Sequence, residues 1–337
     1  MRVLIIGGTG LISTGIVKHL VQRKAEVWML NRGKRENTLA TAAGARDVKV
    51  ITGDRNQKAV LDGAAKEHFD AVIDMCCFDP DTCKQAIEAF GGKTEQFIFC
   101  STVCTYGVKV PVEVFVDEEF PQEPISEYGR NKLACEREVL SAGERGLFKA
   151  TVMRPSCTYG PGNSLIDNIE FDPVAWDRII KGKPVVCAGD GLGLWVATHR
   201  DDVGAGFAYA VGNEKTYGQS YNLTRAEHVT WREYFRQVGS ALGEQVRLVF
   251  LPAAAIVRGD EKRFGLLRDI TQYHGAYDSQ KAEGDIPEFD AEIGLVEGAA
   301  QTLKDVKRRK SWKDSDGDTV YEDLLKLGLD LGAEVVA

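Results

Sequence analysis

The chain has 337 residues, 44% of them hydrophobic and 27% charged, which places it among ordinary globular proteins of one or two domains. Its 42 basic and 50 acidic side chains give a net charge of −8, so bulk electrostatic attraction to nucleic acid is not expected. No apolar run approaches the ~20 residues that span a bilayer, and the opening apolar run, 3–6, is too short for the core of a signal peptide, so a cytoplasmic location is expected.

The first two-thirds alternates strand-like and helix-like segments. Strands are predicted at 3–6, 26–30, 48–52, 71–75, 96–100 and 150–154. Helices are predicted at 11–23, 82–90 and 126–142, the first from apolar residues at 12, 16, 17, 20 and 21. This alternation implies right-handed βαβ units, hence an α/β fold built on a doubly wound parallel sheet of Rossmann type. After Arg154 the pattern loosens, with four of the ten prolines falling in 155–184. A helix at 201–211 and a strand at 220–223 suggest a return to the sheet. Helices at 231–242 and 297–310 and a strand at 246–251 suggest a smaller C-terminal lobe. The expected division is a dinucleotide-binding domain at 1–160, rejoined by 185–225, and a substrate lobe made of 161–184 and 226–337.

Eight cysteines (76, 77, 83, 100, 104, 135, 157 and 187) sit mostly in apolar segments without a CxxC pair. They read as small buried hydrophobes in a reducing compartment, and no metal site is expected.

The turn Gly7-Gly8-Thr9-Gly10-Leu11-Ile12-Ser13 follows a strand and opens a helix. In that context the backbone of Gly7, Thr9, Gly10, Leu11 and Ile12 is expected to cradle a pyrophosphate at the helix N-terminus. Ser13 stands where a third glycine normally lets helix and strand approach. At the end of the second strand, Asn31 replaces the acid that would repel a 2′-phosphate. Arg32, Lys34 and Arg35 supply positive charge there, so NADP is slightly favoured over NAD. Asp54, with Arg55 beside it, is placed to reach the adenine.

Tyr128 and Lys132 lie four apart, on one face of a helix. A free tyrosine titrates near pH ~10. A neighbouring ammonium and a nicotinamide cation would favour the phenolate and bring it into range for acid–base work.

Taken with Cys100-Ser101-Thr102 through Tyr106-Gly107, these motifs make the chain resemble the extended short-chain dehydrogenase/reductases. Within that group it resembles the NAD-dependent epimerase/dehydratase family typified by UDP-galactose 4-epimerase. Supporting segments are Gly53-Asp54, Arg154-Pro155, Tyr159-Gly160-Pro161-Gly162, Gly189-Asp190-Gly191, His199 to Val203 and Tyr221-Asn222-Leu223. The resemblance implies NAD(P)-dependent hydride transfer at a secondary alcohol or ketone, on a sugar or nucleotide sugar, by epimerisation or oxidoreduction. It implies that Thr102 holds the reacting oxygen, Tyr128 moves the proton and Lys132 tunes it and holds ribose. Met75, Cys76, Cys77, Cys100, Ser101, Pro155 and Ser156 would line the cofactor, and Thr102, Val103, Cys157 and Trp195 the substrate. It also implies a homodimer through the helix bearing Tyr128.

Three departures bear on substrate. Cys157 stands where nucleotide-sugar enzymes usually have Asn, and Trp195 where they have Arg. Loss of an Arg–phosphate contact worth roughly 1.5–3 kcal/mol costs on the order of 10- to 100-fold in affinity, unless Arg178 or Arg258 substitutes. Trp195 either stacks on a ring of the substrate or belongs to the core. Val103-Cys104 replaces the Asp-Glu pair of the 4,6-dehydratases, which disfavours dehydration by that route. A reductase of a small non-nucleotide substrate is the alternative. A second, of another class, is an RNA-binding regulatory member of this fold using the basic stretch 304–310. His199 is expected to cap a helix rather than bind metal. The acidic stretch 314–318 reads as a polar turn, because its glycine comes too early for a calcium loop.

Overall fold

The computed structural model describes residues 1–33, 48–108 and 115–336. The first of two compact units comprises residues 1–158, 200–224 and 277–292. Its centre is a seven-stranded sheet. In chain order the strands are β1 (Arg2–Ile6), β2 (Glu26–Asn31), β3 (Lys49–Thr52), β4 (Phe69–Asp74), β5 (Thr94–Cys100), β6 (Lys149–Pro155) and Gln219–Leu223. In space they run Gln219–Leu223, β6, β5, β4, β1, β2, β3, every pair parallel. The order reverses between β1 and β4. At such a switch point the strands' carboxyl ends open into a crevice where ligands bind.

Strand periodicity explains why both faces are covered. Val3 and Ile5 join a core with Ile16, Val17 and Leu20 of α1 (Leu11–Gln22). Leu4 and Ile6 point the other way, into a core with α3 (Pro80–Phe90) and α4 (Glu127–Glu144). A strand with both faces buried must be apolar at consecutive positions, as 3–6 is. Between β3 and β4 runs a short helix, α2 (Lys58–Ala64). Local chemistry starts the longer helices: Asp79 accepts from Thr82 N (2.9 Å) with Pro80 at the first helical position, and Ser126 Oγ accepts from Gly129 N (3.0 Å).

Ser13 does not take over the third glycine's role. Its hydroxyl turns back to donate to the Gly7 carbonyl at 2.8 Å. Close approach occurs at Gly15 instead, against α5 (Arg200–Ala210). A β-carbon on Gly15 would lie 2.3 Å from the Arg200 carbonyl oxygen, and one on Gly204 would lie 2.4 Å from Gly15 C.

The second unit comprises residues 159–199, 225–276 and 293–337. Val185–Ala188 runs parallel to Leu248–Leu251, which pairs antiparallel with Val335–Val336. Helix Trp231–Leu242 is capped by Thr230 and ends at Gly243 with φ +78°. Asp318 caps helix Thr319–Asp330. Asp314 and Asp316 pair with Lys181 (2.6 and 3.0 Å), so the acidic stretch is a turn held by ion pairs.

The expected boundaries need two corrections. Residues 185–199 group with the second unit, and 277–292 group with the first. Ala282, Ile286 and Phe289 fill the core beside the sheet, while Tyr221 Oη is 2.9 Å from Asp285 Oδ2.

Candidate active site

The chain leaves β1 through Gly7 with φ +88°, a backbone state that favours glycine. A β-carbon there would meet Cys76 Sγ at 2.8 Å, and one on Gly8 would meet Met29 at 2.5 Å. Gly10 N bonds the Gly7 carbonyl (3.2 Å), and α1 begins at Leu11 with no side chain capping it. The first-turn amides are thus left to a ligand, which is the arrangement that binds a pyrophosphate. Asn31 ends β2 and the exposed Arg32 follows it; Lys34 and Arg35 lie outside the described residues. Asp54 is partly exposed, and its Oδ1 accepts from Asn56 N at 3.0 Å.

Arg55 is turned into the protein, where its Nη2 meets Asp74 Oδ2 at 2.6 Å. Burial pushes the Asp74 carboxyl up to about 6, against the pull of Arg55. Asp74 Oδ1 also accepts from Cys76 N, shaping the turn after β4. Met75 and Cys76 are partly exposed at this strand end, whereas Cys77 points into the core beside Cys83 and Cys135. These three are buried in the core, as expected of small hydrophobes, and they lie side by side.

After β5, the Thr102 hydroxyl accepts from Cys104 N at 3.2 Å. That hydroxyl also acts on Tyr128, drawing the phenol down against stronger opposing effects. Tyr128 is 42% exposed, with Phe78 beside its ring at 6.5 Å between centroids. Burial of the hydroxyl, and then the charges of Cys100 and Cys104, raise the phenol above its ordinary range. Lys132 is not among the groups acting on it, so the expected lowering by lysine does not occur within the protein alone. Lys132 is instead 1% exposed and donates to the backbone carbonyls of Cys77 (2.9 Å) and Cys100. It lies over the Phe99 ring at 4.5 Å.

Beneath these groups runs a buried polar network that sequence reading did not identify. Glu136, one turn beyond Lys132, accepts from Ser101 Oγ, from Arg154 Nη2 (2.8 Å) and from Gln122 (2.9 Å). Arg154 Nη1 reaches Tyr106 Oη (2.8 Å), which donates to Asn222 Oδ1 (2.8 Å). Ser101 is therefore committed to the scaffold through its hydroxyl, and its amide bonds the Met153 carbonyl at 2.6 Å. Glu136 continues the four-residue spacing of Tyr128 and Lys132, which was the available signal.

Pro155 ends β6, and Ser156 N just beyond it donates to the Leu223 carbonyl at 3.2 Å. Cys157 is partly exposed, and burial followed by the charge of Cys104 pushes its thiol up to about 12. Val103 is buried.

In the second unit Trp195 is 6% exposed and stacks on Trp231, centroids 4.6 Å apart. Of the two expectations for Trp195, the core position is the one observed. Arg178 cannot replace the missing arginine as a free cation: it is buried, bonded to the Pro184 carbonyl (2.9 Å) and paired with Glu322 (2.6 Å). Arg258 is exposed. His199 closes the short strand before α5 and packs edge-on against Tyr159. In the basic stretch, Arg308 and Arg309 are both paired with Asp305. Among the described residues, no helix is long and apolar enough to cross a membrane.

A doubly wound sheet with a glycine turn at its switch point, and Thr102, Tyr128 and Lys132 gathered after β5, defines a nucleotide-dependent enzyme class. The chain belongs to the NAD-dependent epimerase/dehydratase family, whose model matches residues 3–91 and 83–224. These are enzymes of the extended short-chain dehydrogenase/reductase type. It is 30% identical over 253 residues to a 2′-dehydrokanamycin reductase of Streptomyces kanamyceticus, covering 75% of this chain and 70% of that one. It is 26% identical over 316 residues to the chloroplast stem-loop binding protein of 41 kDa b of Arabidopsis thaliana, covering 88% and 78%. A UDP-glucose 4-epimerase of Stenotrophomonas maltophila, solved with NAD and formylated UDP-arabinopyranose, has the same fold. Its TM-score is 0.76 at 17% identity, over 93% of this chain and 100% of that one.

Proposed function

We propose that this protein reduces a ketone to a secondary alcohol on a sugar-like substrate that carries no nucleotide, using NADPH in preference to NADH. The observation that carries the reading is that Thr102, after β5, acts on Tyr128 of α4, the helix that also buries Lys132 against the Cys77 and Cys100 carbonyls. A bound reduced nicotinamide supplies the hydride. Tyr128, held protonated at neutral pH by its raised pKa, gives its hydroxyl proton to the oxygen that becomes the alcohol. Thr102 holds that oxygen, and Lys132, with two of its three donors on backbone carbonyls, keeps a third for ribose. Val103 and Cys104 offer no acid–base pair for dehydration.

The substrate class rests on the second unit. With Trp195 in the core and Arg178 paired, neither residue offers a diphosphate a grip. A reductase among the relatives supports the same reading. Calorimetric titration of UDP-, GDP- and dTDP-sugars into the protein loaded with NADP+ tests it. No binding is expected, and micromolar affinity for any of them would return the reading to a nucleotide-sugar enzyme. NADP+ is expected to bind about 10-fold more tightly than NAD+, through charge-assisted contacts of Arg32.

A second reading is favoured by the stem-loop binding relative, whose match spans 88% of this chain. It predicts RNA affinity that falls steeply with salt. Asp305 pairs with two cations of the basic stretch and cancels one of their charges, and the enzyme reading predicts no such affinity at physiological salt. The family pattern also supports a homodimer through α4, which light scattering on the purified protein checks.

A further inference from the structure

Three thiols that the proposed reaction does not use meet in the core of the first unit. Cys77 comes from the chain after β4, Cys83 from the first turn of α3 and Cys135 from the middle of α4. Each is at most 1% exposed, and their Sγ atoms all lie within 4.8 Å of one another. Sulfurs bound to one ion at ~2.3 Å stand about 4 Å apart. Closing the set therefore asks for small side-chain shifts, not a backbone movement.

An independent observation points to negative charge at this place. Arg55 is 6% exposed and spends Nη2 on Asp74, while its Nε and Nη1 have no acceptor among the described residues. Its charge bears on Cys76 and Cys77. Lys132 acts on Cys135 and donates to the Cys77 carbonyl. Buried charges are tolerated only when balanced. With an ion bound, three thiolates and Asp74 balance Arg55, Lys132 and one divalent cation.

The geometry points to a buried site for one divalent thiophilic ion of the zinc or cadmium class, ligated by Cys77, Cys83 and Cys135. The Asp79 carbonyl (3.5 Å) and the Thr82 hydroxyl (3.8 Å) lie beside Cys77 Sγ as oxygen atoms for a fourth position. Soft thiolates select such ions over magnesium or calcium. The site ties the end of β4 to α3 and α4. Because Cys77 also holds Lys132, an ion there fixes the backbone that positions that lysine. Metal binding here does not depend on which reaction the protein performs.

The test uses the full chain, reduced, stripped with chelator, unfolded in urea and refolded with cadmium chloride, since a buried set of ligands fills most readily during folding. After desalting, about one cadmium per chain is expected, with thiolate-to-metal charge-transfer absorption in the ultraviolet. X-ray absorption at the cadmium edge should count three sulfur neighbours. Cys83→Ala, a small and volume-tolerant change, should retain less than about one-tenth as much metal. A refolded chain with native circular dichroism that retains no cadmium overturns the assignment. So does an ion with two or fewer sulfur neighbours in the unsubstituted chain, a readout that needs no variant to fold. Undiminished retention by a Cys83→Ala/Cys135→Ala double variant would move the ion to other cysteines and overturn it equally.

Discussion

At the residue scale, Tyr128 and Lys132 divide their work differently from what their spacing suggests. The four-residue interval puts both on one face of α4, but the lysine is drawn into the core by two carbonyls while the tyrosine stays half-exposed beside Thr102. The tyrosine's proton is therefore tightly held. Tyr128→Phe removes the proton donor and little else, so turnover should fall by about 10²–10⁴-fold. The dissociation constant for NADP+, read by calorimetry, should stay within about threefold. Unchanged turnover would remove Tyr128 from the chemistry.

At the element scale, two packing solutions hold the site's framework. The contact between α1 and α5 depends on the absence of side chains at Gly15 and Gly204. Gly204→Ala forces backbone apart, and a loss of about 1–3 kcal/mol or more is expected in urea-unfolding free energy. The second solution is the ion pair of Glu136 on α4 with Arg154 on β6, both nearly inaccessible. Breaking such a pair leaves an uncompensated buried charge and costs about 3–5 kcal/mol. Glu136→Gln should show that loss in the same measurement. The variant should also lower kcat more than it raises KM, because Ser101 adjoins Thr102. A stability loss with unaltered kcat would make the pair purely architectural.

At the scale of the whole molecule, stability depends on pH through carboxyls that folding buries. Asp74 titrates at about 6 in the folded chain against 3.8 for an ordinary aspartate, and burial raises Asp167 in the second unit in the same sense. A group that holds its proton more tightly when folded contributes most below its unfolded pKa. That contribution declines as pH rises through the folded value. Asp74's contribution should thus diminish between pH 4 and about 6, by of order 1–3 kcal/mol. Urea midpoints measured across this window should show Asp74→Asn losing that part of the slope. An identical pH dependence in the variant would contradict the assignment.

Much of the fold was legible in the sequence because its signals are local. Alternating apolar runs and helical spacings are properties of a few consecutive residues, and a strand buried on both faces has to be apolar throughout. The glycine turn was legible for the same reason, since a positive φ and a phosphate-sized approach are demands on the backbone of one loop. Residues such as Arg55, Glu136 and Trp195 were not, because their partners lie far away in the chain. Whether an arginine meets a phosphate or an aspartate 19 residues on is decided by which strand ends folding brings together. The same holds for segment 277–292, whose apolar face makes sense only against a sheet edge formed far earlier in the chain. By itself the sequence determined the doubly wound sheet and the glycine turn at its switch point, and it offered Thr102, Tyr128 and Lys132 as the candidate set. Only the tertiary structure decided which polar side chains stay free for ligands, because burial and pairing are properties of the packed chain.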